Sequence, residues 1–195
     1  MAAVVLAAAA CATAKAGAGL ITGNCPTSGT QVFARWGDST SYYLAPNGGL
    51  ESGTTGWTVN GGSVVNENEP YYTSGSHSLY LPSGSTATSP VVCIGTKDLY
   101  VRMFAKDVGG TDRGLHVQVV WYGLLNAVLG ITDVATYAPG GSWAPTGKLS
   151  TAGGLSVPLL PIVGSTSARI RVTPVGSGSN WRIDDLYVDP WAMRG

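Results

Sequence analysis

An all-β fold, specifically a two-sheet antiparallel β-sandwich, is what this sequence predicts, and three observations carry the prediction. Several runs alternate apolar and polar residues with a period of two, Gly-rich turns separate them, and no window of a dozen residues carries a helical stripe. Val32, Ala34 and Trp36 alternate with Phe33 and Arg35, which reads as a first strand. Ser78 to Leu81 is a short strand closed by Pro82, and Val91 to Ile94 follows Pro90. Leu99, Val101, Met103 and Ala105 alternate with Tyr100, Arg102, Phe104 and Lys106. Leu115, Val117, Val119 and Trp121 alternate with His116, Gln118, Val120 and Tyr122. Ala168, Ile170 and Val172 alternate with Arg169, Arg171 and Thr173, and Trp181 to Val188 is the last strand. Asn60-Gly61-Gly62, Gly109-Gly110, Gly140-Gly141 and Gly176-Ser177-Gly178 supply the positive φ values of tight turns. Leu124 to Ile131 fits a short helix or a buried strand, and the glycines at its borders, Gly123 and Gly130, favour the strand. Many short strands without helices make a sandwich or a barrel, and the sandwich is the reading adopted.

Composition narrows the function classes. At 195 residues the chain suits one domain, and 44% apolar residues suffice for a core. Charged residues make up only 11%, with 11 Lys and Arg balanced by 11 Asp and Glu. Phosphate binding needs clustered cations to displace condensed counterions. The cations here form no stripe, which sets aside nucleic acid and charged membrane surfaces. Val4 to Cys11 is apolar but too short to span a bilayer. Ala12-Thr13-Ala14 and Ala16-Gly17-Ala18 offer the small residues of a signal-peptidase site, so residues 1–18 read as a signal peptide. No Lys or Arg precedes the apolar run, which leaves a start further upstream open. A short buried strand and a lipid anchor at Cys11 are the alternatives. Residues 19–44 then hold a linker and the first strand, residues 45–190 the sandwich, and residues 191–195 a tail. If Cys11 leaves with the signal, Cys25 and Cys93 remain as an even pair, and in an exported protein that reads as a disulfide.

Two segments at opposite ends of the sandwich carry a family resemblance. Asn47-Gly48-Gly49-Leu50-Glu51 is followed by Gly53 and by Gly56-Trp57. Trp181-Arg182-Ile183-Asp184-Asp185-Leu186-Tyr187-Val188 lies near the C-terminal end, with Gly75-Ser76-His77-Ser78-Leu79 between. Together they resemble the carbohydrate-binding modules of the β-jelly-roll type, especially the group found beside xylanases and glucanases. The resemblance spans roughly residues 45–190 and implies a jelly-roll, galactose-binding-domain-like sandwich. It also implies a structural calcium held by an acid from each box, which here are Glu51 and Asp184, with Asn47 and the Gly75 carbonyl as weaker additions. The residues themselves lead the same way. Counted along an ideal strand, Asp184 shares its side with Leu186 and Val188 and points inward, with Asp185 opposed. A buried carboxylate needs a basic partner, backbone donors or a cation, and calcium accepts a loose shell of six to eight oxygens. The alternative is that Glu51 caps a turn and Asp184 pairs with Arg182 or Arg169.

Trp36, Trp57 and Trp181 read as structural. Sugar contact fits the face away from the core, where Tyr100, His116, Gln118 and Tyr122 project together if their strands are neighbours. Trp143, on a Gly- and Pro-flanked segment, could reach the same face. Aromatic faces for CH groups and amides for hydroxyls are what a sugar needs. Ordinary cross-strand pairing is the plainer account of each residue. No nucleophile elbow, zinc-protease, phosphate-loop or EF-hand motif occurs. Glu67 and Glu69 precede Pro70 in an Asn-rich stretch that reads as solvated surface. Three functions follow: a secreted, monomeric, non-catalytic module binding polysaccharide or cell-surface glycan; an extracellular adhesive sandwich that binds protein; or a small polysaccharide-active enzyme.

Overall fold

The computed structural model describes residues 25–26, 28–72, 74–94, 98–110, 113–138, 140–148 and 162–192. The expected signal peptide and Cys11 lie outside them. The described strands are β1 (Tyr43–Leu44), β2 (Thr58–Asn60), β3 (Ser63–Val65), β4 (Ser78–Leu81), β5 (Thr86–Thr88), β6 (Asp98–Gly109), β7 (Gly114–Tyr122), β8 (Val128–Tyr137), β9 (Ala144–Pro145), β10 (Ser167–Val175) and β11 (Asn180–Ala192). All pairings are antiparallel. One sheet runs β3-β4-β11-β6-β9, with β1 also on β11, and the other runs β2-β5-β10-β7-β8. The chain is the two-sheet sandwich that its alternation predicts.

Alternation places the core. Val101, Met103 and Ala105 of β6, Ile183 and Val188 of β11, Leu115, Val117, Val119 and Trp121 of β7, and Ala168, Ile170 and Val172 of β10 all join one buried cluster between the sheets. Trp57 and Trp181 lie in it too. Buried indoles need acceptors, and Trp121 Nε1 donates to Thr132 Oγ1 (2.8 Å) and Trp181 Nε1 to Ser179 Oγ (2.8 Å).

A second cluster covers the outer face of the first sheet. Phe104 and Tyr187 point out of that sheet and pack against Phe33, Tyr42 and Trp143. The segment carrying Phe33 is not a strand. Ala34–Trp36 form a 3₁₀ turn, closed by Gly37 at φ 79°, whose N–H bonds the Ala34 carbonyl. Its alternation comes from wedging single aromatics against the sheet rather than from pairing. Two other elements also differ from expectation. Val91 to Ile94 reduces to an isolated bridge from Val92 to Ala168. The stretch from Leu124 splits into a 3₁₀ turn (Leu124–Asn126) and the edge strand β8, with Leu124 and Leu125 of the turn and Val128, Leu129 and Ile131 of the strand exposed rather than buried.

Cys25 and Cys93 form a disulfide with their Cα atoms 5.2 Å apart and a sequence separation of 68. It ties the N-terminal segment to the strand-like stretch at Val92. Closing so long a loop removes denatured-state entropy, so Cys93→Ser should destabilise the fold by about 2–4 kcal/mol, measured by urea unfolding.

Candidate functional site

The outer face of the β2-β5-β10-β7-β8 sheet carries a groove of about 750 Å³. Its floor is built by register. Thr58 pairs with Thr88, Thr88 with Arg171, Arg171 with Gln118 and Gln118 with Asp133, so one row of polar side chains crosses all five strands. A second row runs from Asn60 through Thr86, Thr173 and His116. These side chains face out because Val59, Ala87, Val172, Ile170, Val117 and Val119 between them face the core. Tyr122 and Arg169 close one end, with the guanidinium 5.8 Å from the ring centroid. Gln118 Nε2 donates to Asp133 Oδ1 (2.7 Å), and His116 Nε2 lies 3.1 Å from the same oxygen.

Of the five residues expected to contact a ligand, His116, Gln118 and Tyr122 line this groove. Tyr100 and Trp143 do not, because β6 pairs with β11 and β9 in the opposite sheet. Tyr100 lies beside the second aromatic cluster with the Lys148 ammonium 5.6 Å from its ring. Trp143 is buried there, donating its indole N–H to Glu67 (3.1 Å) and accepting from the Tyr71 hydroxyl (2.7 Å) at its carbonyl. Arg169, Arg171 and the threonines are groove residues that sequence reasoning passed over. For Arg169, Arg171 and Thr173 the alternation with Ala168, Ile170 and Val172 is the available signal, whereas Thr58, Thr86 and Thr88 lie on three-residue strands too short to show a period.

The acids lie on the other sheet. Between Asp184 and Tyr187 the register of β11 against β6 shifts, and Asp185 takes φ 47°. This bulge inverts the alternation, since one extra residue moves everything before it to the opposite face. Asp184 is therefore 1% exposed but opposite Phe104, on the outer face, and not beside Leu186 and Val188 in the core. It is buried beneath Glu69, whose N–H donates to Oδ2 (3.1 Å), while the Asp185 N–H donates to Oδ1 (2.8 Å). Burial, with the nearby charges of Asp185 and Glu69, pushes Asp184 up to about 8 despite these donors. Burial also raises Asp185 to about 6, and the charges of Glu69 and Glu51 add to it. The acid that feels Glu51 is thus Asp185 rather than Asp184.

Glu51 braces the 75–77 segment. Its carboxylate accepts from the N–H groups of Ser76 (2.8 Å) and His77 (2.9 Å), from Ser76 Oγ (2.9 Å), and lies 3.0 Å from His77 Nδ1. Burial opposes its ionisation, but these contacts outweigh burial and hold it down at about 2. Gly75 is fixed as glycine, because a Cβ there would strike the Asn68 amide and approach Glu51 Oε1 to 3.1 Å. Asn47 organises the neighbouring loop, donating to the carbonyls of Gly53 (2.9 Å) and Thr55 (3.0 Å) and accepting from Ser52 N–H (3.1 Å). Glu69, which its sequence context places in solvent, is 1% exposed and accepts from the N–H groups of Tyr71 and Tyr72, each at 2.6 Å. Neither Arg182 nor Arg169 partners Asp184. Arg182 pairs with Glu67, and Arg169 donates to the Ser89 carbonyl (3.0 Å). Among the described residues no basic side chain forms an ion pair with Glu69, Asp184 or Asp185. Nor does any group of three His, Cys, Asp or Glu stand close enough to hold a metal by themselves.

The sandwich shares its fold with solved carbohydrate-binding modules and a phage tailspike domain. It is similar to the CBM22-1 and GH10 modules of endo-1,4-β-D-xylanase 10B from Clostridium thermocellum, complexed with xylohexaose (TM-score 0.53, 14% identity, 78% of this chain and 29% of that one). It is similar to the enzymatically active domain of bacteriophage CBA120 tailspike protein 4 (0.52, 13% identity, 74% and 21%). The tandem CBM22-1–CBM22-2 domain of Paenibacillus barcinonensis Xyn10C is a further likeness (0.51, 15% identity, 76% and 46%). The chain thus matches between a fifth and a half of the length of these structures. No family model and no curated protein matches the sequence.

Proposed function

We propose that this chain is a secreted, monomeric, non-catalytic module that binds polysaccharide or cell-surface glycan through the groove on the β2-β5-β10-β7-β8 sheet. The observation that carries the reading is the polar row Thr58, Thr88, Arg171, Gln118 crossing the sheet beside the ring of Tyr122. Hydroxyl, amide and guanidinium groups offer hydrogen bonds to sugar hydroxyls, and an aromatic ring at the end of the row offers a face for CH groups. The disulfide suits an oxidising compartment. Among the described residues no helix is long and apolar enough to cross a membrane.

A glycan array on the purified chain tests the reading. Tyr122→Ala should weaken binding to any glycan retained by the wild type by roughly tenfold, the equivalent of about 1.4 kcal/mol of lost stacking. Full retention by the variant counts against the groove. The exposed Leu124, Leu125, Val128, Leu129 and Ile131 favour a second reading, an adhesive sandwich that docks protein. That reading predicts no glycan signal on the array.

A structural calcium is part of the proposal. Oxygen donors suit calcium, and it needs few carboxylates when amide and main-chain oxygens complete its shell. Glu51 and the Asp184–Asp185 pair would hold it, with Asn68 and the Gly75 carbonyl beside them. What supports it is that Asp184 and Asp185 gather there beside Glu69 with no ion pair among the described residues, while Glu51, close enough for its charge to raise Asp185, pairs only with His77. The ion would neutralise them and fasten the 47–51 and 68–77 segments to β11.

A further inference from the structure

Resting on the glycan-binding reading, we propose that the groove selects acidic polysaccharide, with Arg171 as the residue that recognises the carboxylate of a uronic acid unit.

The inference starts from the chain's use of its few cations. Arg102 and Lys148 pair with Asp38, Lys106 and Arg182 with Glu67, and Arg113 with Asp107. The Arg35 guanidinium lies over the rings of Trp36 (4.7 Å) and Tyr71 (5.0 Å). Arg169 is held by the Ser89 carbonyl and the Tyr122 ring. Among the described residues Arg171 alone among the Lys and Arg side chains has neither ion pair, side-chain hydrogen bond nor ring partner. It stands mid-groove, on the central strand β10, between Thr88 and Gln118.

Among the described residues the surroundings supply no counter-ion. The groove lining holds two guanidiniums and no carboxylate. The nearest acid in the row, Asp133, belongs to the edge strand β8 and already engages Gln118 and His116. Its side chain is 74% exposed, so solvent screens much of its charge. A guanidinium presents five N–H donors in a planar fork that matches a carboxylate with two parallel hydrogen bonds. Flanking hydroxyls from Thr88, Thr86 and Thr173 and the Gln118 amide suit the ring hydroxyls of the same sugar. A neutral glycan would leave the fork facing only hydroxyls, which cannot neutralise it. A carboxylate on the ligand gives that charge its partner.

The test uses the full chain and titration calorimetry. Polygalacturonate, alginate, glucuronoxylan and hyaluronan are each offered beside their carboxyl-reduced forms, with dextran sulfate as a polyanion of different geometry. The expected result is at least tenfold tighter binding to one or more uronates than to the reduced counterpart and to dextran sulfate. Arg171→Gln should abolish that preference with an unchanged melting temperature, and Arg171→Lys, which keeps the charge but not the fork, should retain only part of it. Equal binding of a uronate and its reduced form overturns the inference and leaves glycan binding standing. So does a preference that survives Arg171→Gln. Dextran sulfate bound as tightly as the best uronate overturns the carboxylate assignment. Binding to none of these polymers, nor to any neutral glycan, overturns the inference together with the function it rests on.

Discussion

Asp38→Ala should cost this protein about 3–5 kcal/mol of stability, the scale on which a buried charge left without its partner destabilises a fold. Asp38 Oδ2 accepts from Tyr42 Oη (2.7 Å) and Arg102 Nη1 (2.8 Å), and Oδ1 from Thr40 N–H (3.1 Å) and Lys148 Nζ (2.9 Å). Both Asp38 and Arg102 are almost fully buried. Arg102 also donates to the Thr146 carbonyl (2.8 Å) and stacks 4.1 Å from the Phe33 ring. The carboxylate thus joins the N-terminal segment, β6 and the stretch after β9 over the outer face of the first sheet. Burial opposes its ionisation, but the donors from Thr40, Lys148, Tyr42 and Arg102 outweigh burial and hold its pKa well below the usual carboxylate range. Its contribution is therefore complete at neutral pH and lost only as pH falls below about 4. Truncation leaves Arg102 charged and buried with one neutral acceptor. A fall in melting temperature of roughly 6–20 °C is the expected readout. Asp38→Ala combined with Arg102→Met should recover part of the loss, because the double variant removes the stranded charge as well.

In chelator, stability should decline as pH rises from about 4 to 8, and Asp184 is the chief cause. Burial raises this carboxyl to about 8 in the folded chain, against about 4 in the unfolded one. Over that interval the folded state holds a proton that the unfolded state releases. The stabilisation is complete below the unfolded value and drains away as pH passes through the folded one. Asp185, raised to about 6, adds to the lower half of the window. Roughly 5 kcal/mol is the ceiling for Asp184 at 1.36 kcal/mol per unit. Calcium should flatten the decline by pairing the ionised carboxylates. Asp184→Asn should flatten it in chelator and blunt the response to calcium. Melting curves across pH 5–8.5, with calcium or chelator, read all of this out. Identical slopes with and without the ion would contradict the metal proposal. Below about pH 4 the loss of Asp38, and of Glu51 held at about 2, works in the opposite sense.

The sandwich was legible wherever strands are long. In β6, β7, β10 and β11 the apolar residues fall on one side often enough to reveal both strand and face. Strands of two or three residues, such as β2, β5 and β9, have no period to read. The β7 side of the groove was visible for the same reason, since His116, Gln118 and Tyr122 alternate with core residues. Which strands are neighbours is a property of topology, and Tyr100 went astray on that point alone. Asp184 shows a different limit. Alternation puts it beside Leu186 and Val188, but a bulge at a non-glycine residue with positive φ turns it to the other face, where the Glu69 segment buries it, and no alternation pattern announces either. Glu69 is buried by the loop that folds over that bulge, a contact 115 residues apart in sequence.

The most direct test of the account is to map a bound glycan by amide chemical shifts on the isotopically labelled chain, using the tightest ligand from the polymer panel as a short oligosaccharide. The groove account predicts that the largest shifts fall on Thr88, Gln118, Tyr122 and Arg171, with the aromatic cluster around Phe33 and Trp143 unmoved. Shifts centred on Phe33, Tyr100 and Trp143, with the β7 and β10 amides unchanged, would place the ligand on the opposite sheet and contradict it.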